Sequence, residues 1–440
     1  MILDVNETTL NKINNPTLRS YAGIYVSIYN DFINQIKASG IEIDPQDYSA
    51  QVNAKIKELE KEGAILRNND KSIYINNISP ACVACQTGRG SATYFISLKC
   101  HRDCFYCFNP NQEKYEYYLT NTLDPIIELE KIKNNREHVE HLALTGGEPL
   151  LHKEKTIEFF NYAREQFPDV YTRLYTSGDQ IDSETLQSLR DAGLQEIRFS
   201  IRMHDLAKGQ RNTYDSIALS SEYIPYVMVE MPVLPGTLEE MREILVELDR
   251  LDLYSINLLE LCFPLYNADI FNEKGFKIKK RPFRVLYDYW YAGGLPVAGS
   301  ELVCLDLVKF ALDNKLSLGV HYCSVENKQT GQIFQQNRDQ NLSASTYFSP
   351  QDYFIKIAKV FGEDIEPVKE IFSIMKNFDF EENQEHDYIE FQVNLIPMLA
   401  SLNIEVGIST NVFEKRNGET FLRELKMDIT TPQKFKLEEL

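Results

Sequence analysis

The sequence predicts an α/β protein: a partial (β/α)6 barrel with an N-terminal helical, winged-helix-like extension and a C-terminal α+β extension. Two observations predict it. Short apolar runs alternate with amphipathic segments from about residue 139 to residue 322, and strand–helix alternation of this kind calls for a parallel sheet with helices outside. The runs are Val139–Leu144, Val170–Tyr175, Glu196–Ile201, Pro225–Val233, Ser255–Cys262 and Leu316–Tyr322, and a further one, Tyr94–Leu98, leads into a loop with three cysteines. Amphipathic helices are expected over Lys153–Gln166, Asp182–Ala192, Leu238–Leu251 and Glu301–Asn314. Six or seven strands suit the partial barrel, whose active face lies at the strand C-termini.

Residues 1–78 read as a separate helical and hairpin module, residues 79–335 as the barrel, and residues 336–440 as a C-terminal α+β cap. Thr17–Ser39 and Asp47–Gly63 carry helical periodicity, with Pro45 and Asp47 marking the second start. Two short runs, Ala64–Arg67 and Ser72–Asn76, flank Asn68-Asn-Asp70, a hairpin signal. Beyond Asn337, Ser349–Phe361 and Asp387–Leu402 are expected to be helical in part, the first opening on Ser349 as N-cap with Pro350 behind it. The runs Ile404–Phe413 and Glu419–Ile429 are expected to pair through Asn417-Gly418.

Composition narrows the class. The chain has 440 residues, 43% of them hydrophobic, so a sizeable core is available. No apolar run approaches a membrane span, and the start Met-Ile-Leu-Asp-Val-Asn-Glu lacks the basic and apolar parts of a secretory signal. A net charge of −19 argues against a nucleic-acid partner. Eight cysteines in a chain of this length point to metal binding in a reducing cytoplasm rather than to a disulfide framework.

Cys100, Cys104 and Cys107 stand at C-x3-C-x2-C spacing. Three such thiolates can hold three irons of a [4Fe–4S] cluster and leave the fourth open, the alternative being a zinc site completed by a distant residue. Thr145-Gly-Gly-Glu-Pro149 follows the next strand, its glycines permitting close backbone approach and Glu148 placing a carboxylate beside it. This pair of motifs, with Tyr106 before the last cysteine, resembles the radical S-adenosylmethionine (SAM) superfamily. The resemblance implies that the open iron takes the amino and carboxylate groups of SAM. Reductive cleavage then yields a 5′-deoxyadenosyl radical that abstracts hydrogen from a substrate. It further implies that Gly146, Gly147 and Glu148 bind the methionine ammonium group, and that flavodoxin or ferredoxin supplies the electron.

The strand ending Arg198-Phe-Ser-Ile-Arg202 places Ser200 and Arg202 on one face. Relatives that activate glycyl-radical enzymes carry an acid-x-lysine pair there. By that resemblance Arg202 would bind the SAM carboxylate and Ser200 a ribose hydroxyl or the carboxylate, and Thr176 and Ser177 are further candidates.

Cys82 and Cys85 form a C-x2-C pair, and Asn257–Pro264, Val297–Glu301 and Gly319–Ser324 complete a resemblance to a little-characterised family related to pyruvate formate-lyase activating enzymes. It covers roughly residues 80–335. It suggests a second [4Fe–4S] cluster on Cys82, Cys85 and Cys323, with Cys262 or His321 as fourth ligand, or a structural zinc on the same residues. Cys304, on an amphipathic helix, reads as an ordinary buried thiol. The substrate is a peptide or protein, gripped through the N-terminal module, or a small molecule.

Overall fold

The computed structural model describes residues 1–203, 207–287, 294–375 and 379–440. The chain divides into two compact units: Gly40–Pro282 with Trp290–Gln329, and Met1–Ser39 with Phe283–Tyr289 and Thr330–Leu440.

The first unit is built on a nine-stranded sheet. Its strands, in chain order, are β1 (Ile65–Arg67), β2 (Ser72–Ile75), β3 (Ser91–Phe95), β4 (His141–Thr145), β5 (Tyr171–Thr176), β6 (Glu196–Phe199), β7 (Tyr226–Val233), β8 (Ser255–Glu260) and β9 (Gly319–Cys323). From β3 to β9 all pairings are parallel and between consecutive strands, and the β1–β2 hairpin closes the edge by pairing β2 antiparallel to β9. The period of two decides which side each residue serves. Leu142, Leu144, Leu174, Ile197, Phe199, Val227, Val229, Ile256, Leu258, Val320 and Tyr322 belong to one core with Phe159, Phe160, Leu189, Leu245 and Val308 of the covering helices. The alternate positions Arg173, Tyr175, Arg198, Glu230, Asn257, His321 and Cys323 form the other, inner face.

The helices form where the pattern placed them, at Lys153–Gln166, Ser183–Asp191, Leu238–Arg250 and Ser300–Asp313. Phe159 and Phe160 are fully buried, each contributing about 1.5–3 kcal/mol. The expected strand over Ser255–Cys262 stops at Glu260, and Cys262 pairs instead with Pro296 in a two-residue bridge.

The second unit carries an antiparallel sheet. Its central strands are β10 (Ile355–Phe361), β11 (Tyr388–Phe391), β12 (Val406–Arg416) and β13 (Glu419–Thr430). β12 and β13 are joined through Asn417 and Gly418, both at positive φ, as the Asn-Gly signal predicts for a two-residue hairpin turn.

Two expectations are corrected here. The expected 1–78 module is divided: the helix Pro16–Ala38 packs Leu18 and Ala22 against Phe361, Met427 and Ile429 of the second unit. The helix Ser49–Lys61 and the hairpin belong to the first unit, where β2 satisfies the open edge of β9. Residues 349–361 are not helical. Ser349 Oγ does accept from the Gln351 and Asp352 amides, but Tyr353 at φ 64° breaks the turn, and Ile355–Phe361 is a strand buried at every position. A strand paired on both sides and covered on both faces shows no period of two, so its apolar run imitates a helix. Residues 387–402 are helical in part, as expected, through the 3-10 helix Val393–Leu399 that follows β11.

Candidate active site

The site grows from the C-terminal ends of β3–β6. After β3 the chain enters the cysteine loop, where the Arg102 amide donates to Cys100 Sγ (3.4 Å) and Cys107 N to Cys104 O (2.9 Å). Cys100 is exposed, and Cys104 and Cys107 are half-buried. Burial raises the Cys100 and Cys107 thiols, while backbone amides of Arg102 and His101, and of Asn109, work to lower them.

The loop is held from two sides. Asp179, just beyond β5, accepts from Arg102 Nε at 2.7 Å, and its carboxylate also meets Arg102 Nη2 and His101 Nε2. Burial raises the Asp179 pKa, but the hydrogen bonds from Arg102, His101 and Ser177 outweigh it and hold the group at about 2. From the other side Asn267 Nδ2 donates to Phe105 O (3.1 Å) and Tyr266 OH to Cys107 O. The Tyr106 ring meets Phe105 edge-on at 4.9 Å between centroids.

Gly146 and Gly147 bring the second motif against this loop. A Cβ on Gly147 would sit 2.0 Å from Lys99 O, and one on Gly146, at φ 106°, 2.5 Å from Phe95 Cβ. The Gly147 and Glu148 amides donate to Ser97 O (3.0 Å) and Lys99 O (2.8 Å). The glycines therefore admit the protein's own backbone, fixing Glu148 against Lys99, the residue before Cys100. Glu148 is 2% exposed. Its Oε1 accepts from Thr176 Oγ1 (2.9 Å) and Leu150 N (3.0 Å), and its Oε2 from Ser177 N (2.6 Å). A carboxylate offers about four acceptor positions, so one remains on Oε2.

Phe199 and Ile201 are core residues, which leaves Ser200 on the opposite side, half-buried, and Arg202 4% exposed with Nη2 3.9 Å from Asp179 Oδ2. The structure thus gathers Cys100, Glu148, Thr176, Ser177 and Arg202 through direct contacts with one another or with Asp179, His101 and Arg102. Asp179, Arg102, His101, Tyr266 and Asn267 were not anticipated. A Gly178-Asp179 step at a strand end was the available signal for the first.

A second constellation occupies the inner face. In the helix Pro80–Cys85, Cys82 Sγ accepts from Asn257 Nδ2 (3.2 Å) and Arg198 Nη2 (3.4 Å). Arg198 is 3% exposed and pairs with Glu196 (2.6 Å) and Glu230 (2.5 Å). Asn257 Oδ1 lies 2.8 Å from His321 Nδ1, and His321 Nε2 lies 2.8 Å from Ser72 Oγ. Cys323 follows two residues beyond His321 on β9, hydrogen-bonded by Asn327 Nδ2 (3.2 Å). Burial pushes the Cys85 thiol up, and the Cys323 and Cys262 thiols up to about 12. Cys304 is buried in the core cluster between helix and sheet. Arg198, Glu196 and Glu230 were missed, although charged residues in otherwise apolar strands were a legible signal.

Among the described residues no three His, Cys, Asp or Glu side chains converge on the position of a single metal ion. Each thiolate of a cubane cluster binds a different iron, so a cluster asks for no such convergence. Among the described residues no helix is long and apolar enough to cross a membrane.

The Radical SAM superfamily model matches residues 94–248, which include the three-cysteine loop, Glu148, Ser200 and Arg202 and exclude Cys82, Cys85 and Cys323. A Methanocaldococcus jannaschii protein, carried under the provisional name of a glycyl-radical enzyme activating enzyme, is 26% identical over 349 residues, 75% of this chain and 85% of that protein. The S-adenosyl-L-methionine-dependent 2-deoxy-scyllo-inosamine dehydrogenase of Niallia circulans is 30% identical over 131 residues, 28% of this chain. The match spans about half of the dehydrogenase's length, 48%. The crystal structure of BtrN in complex with AdoMet and 2-DOIA shares 25% identity over 32% of this chain and 56% of that one, with a TM-score of 0.26. Residues 94–248 match the radical SAM superfamily, and these matches support an enzyme of the radical SAM class with an α/β fold, a [4Fe–4S] cluster and S-adenosylmethionine as its cofactors, and a resemblance to glycyl-radical enzyme activating enzymes.

Proposed function

We propose that Cys100, Cys104 and Cys107 hold the cluster and that the ends of β4, β5 and β6 cradle SAM on a partial (β/α)6 barrel. The observation that carries this is the rigid coupling of the two motifs. The amides of Gly147 and Glu148 donate to Ser97 and Lys99, the residues leading into Cys100. Cluster and carboxylate are thereby set at a fixed distance, and preorganisation of this kind lowers the cost of binding.

Held by these residues, the cluster and SAM would supply reductive, one-electron chemistry able to abstract hydrogen from a substrate. The chain's own residues do the rest. Glu148 Oε2 offers its remaining acceptor position to the SAM ammonium, with Gly146 and Gly147 holding it in place. Arg202 takes the carboxylate, while Ser200, Thr176, Ser177 and Tyr106 line the nucleoside side. Cys82, Cys85 and Cys323 carry an auxiliary iron–sulfur cluster, whose thiolates the Arg198, Asn257 and Asn327 donors stabilise.

The substrate is a peptide or protein, and the electron donor a flavodoxin or ferredoxin. The glycyl-radical activation in the name of the Methanocaldococcus jannaschii relative, which implies a protein substrate, supports this reading.

Anaerobically reconstituted, reduced protein should cleave SAM slowly to 5′-deoxyadenosine and methionine without substrate, and Cys104→Ala should abolish it. Cleavage retained in that variant would overturn the assignment.

A further inference from the structure

The inner face below the cysteine loop carries an unusual charge balance. Arg173, Arg198 and Lys328 bring three cations, while Arg198 alone engages both Glu196 and Glu230. Arg173 projects from β5 on the same side as Tyr175, its guanidinium carbon 5.8 Å from that ring. Its Nε is buried without a hydrogen-bond partner, and among the described residues neither Arg173 nor Lys328 forms an ion pair. Both cations are half-buried, and the carboxylate they both act on, Glu230, is already paired with Arg198, so this face holds more cationic charge than its carboxylates neutralise and favours an anionic visitor.

The auxiliary cysteines meet on this face by register. His321 pairs with Asn257 across β8 and β9, and Cys323 lies two residues further along. Asn257 in turn reaches Cys82 at 3.2 Å, and Cys85 follows one helical turn after Cys82.

Both candidates for a fourth ligand already make other contacts. Both ring nitrogens of His321 are engaged, by Asn257 and by Ser72, each at 2.8 Å. Cys262 sits off the sheet in the bridge to Pro296, its sulfur facing Phe263 O at 3.9 Å and 2.7 Å from where a Cβ on Gly294 would lie.

We propose, resting on the auxiliary cluster argued above, that this centre has three protein ligands only, Cys82, Cys85 and Cys323. Its open position faces Arg173 and Lys328 and receives a carboxylate or similar anionic group of the substrate.

The test uses the full chain with Cys100, Cys104 and Cys107 changed to Ala, reconstituted anaerobically so that only the auxiliary centre remains. About four irons per chain are expected. Mild one-electron oxidation with ferricyanide should release one ferrous iron to give an oxidised three-iron cluster visible by electron paramagnetic resonance, reversed by ferrous iron together with the reductant dithionite. The same behaviour is expected after His321→Gln or Cys262→Ala. Citrate, the anionic probe, should perturb the spectrum of the reduced four-iron form, and methylammonium should not. With Arg173→Gln and Lys328→Gln together, citrate should bind at least roughly tenfold more weakly at unchanged iron content.

A parent that binds zinc or no iron removes the auxiliary cluster itself, and this inference with it. Four irons that resist release, or a spectrum changed by His321→Gln or Cys262→Ala, overturn the three-ligand site alone. A citrate response unaffected by the double variant overturns the role of the two cations.

Discussion

The Ser177 amide donates to Glu148 Oε2 at 2.6 Å, joining the end of β5 to the turn after β4 across 29 residues of chain. With Thr176 Oγ1 on the other oxygen at 2.9 Å, the carboxylate is anchored before any ligand arrives. Glu148→Gln should keep the shape, lose the charge and weaken SAM binding with the iron content unchanged. Glu148→Ala should in addition leave the Ser177 and Leu150 amides unpaired, at about 1–3 kcal/mol each. Isothermal titration with SAM beside iron analysis separates the two effects.

Gly147→Ala tests the close approach of the two motifs. The new methyl would lie 2.0 Å from a backbone oxygen, which no side-chain rotation relieves. The variant is expected to lose stability and cluster retention together, measured by thermal denaturation and iron content. Gly40→Ala, where nothing lies within 4 Å but φ is 86°, should cost only about 1 kcal/mol and leave iron unchanged.

Arg202→Ala should weaken SAM binding by about one to two factors of ten, the loss of one charge-assisted hydrogen bond, while the cluster's visible spectrum stays intact. Unchanged affinity would remove Arg202 from the cofactor site.

Asp182 caps the helix Ser183–Asp191 by accepting from Thr185 N at 2.7 Å and pairs with Lys153 at 2.8 Å. These hydrogen bonds, Lys153's first, lower its pKa to about 2. A carboxyl depressed in the folded state stabilises fully above the unfolded value of about 3.9 and loses that contribution as pH falls toward 2. Asp182→Ala should cost about 1 kcal/mol at neutral pH. Its deficit against the wild type should shrink between pH 4 and pH 2 in urea titrations.

Arg198→Met removes the guanidinium that pairs with both Glu196 and Glu230 on the inner face. Stranding buried carboxylates costs about 3–5 kcal/mol, so the variant should unfold at distinctly lower urea. A double variant that also carries Glu196→Gln should recover part of the loss.

Local spacing was enough for the features that a few consecutive residues carry. C-x3-C-x2-C sets three thiols on one loop, Gly-Gly-Glu-Pro sets a carboxylate on a turn, and the strand–helix alternation sets a parallel sheet. Each is a property of a few consecutive residues, so each was readable in one dimension. Only the tertiary structure decided what depends on pairing between distant segments. The open edge of β9 claimed the β1–β2 hairpin, and the sheet of the second unit claimed the helix Pro16–Ala38, because an unpaired strand edge and an apolar helix stripe are satisfied by whatever partner the fold brings to them. Ile355–Phe361 became a strand because it is paired on both sides, a condition its own residues do not record. His321 stands two residues from Cys323 and is indistinguishable from a ligand in sequence. Asn257, 64 residues away, and Ser72, 249 residues away, occupy its two nitrogens, and a hydrogen bond already made is something spacing alone does not reveal.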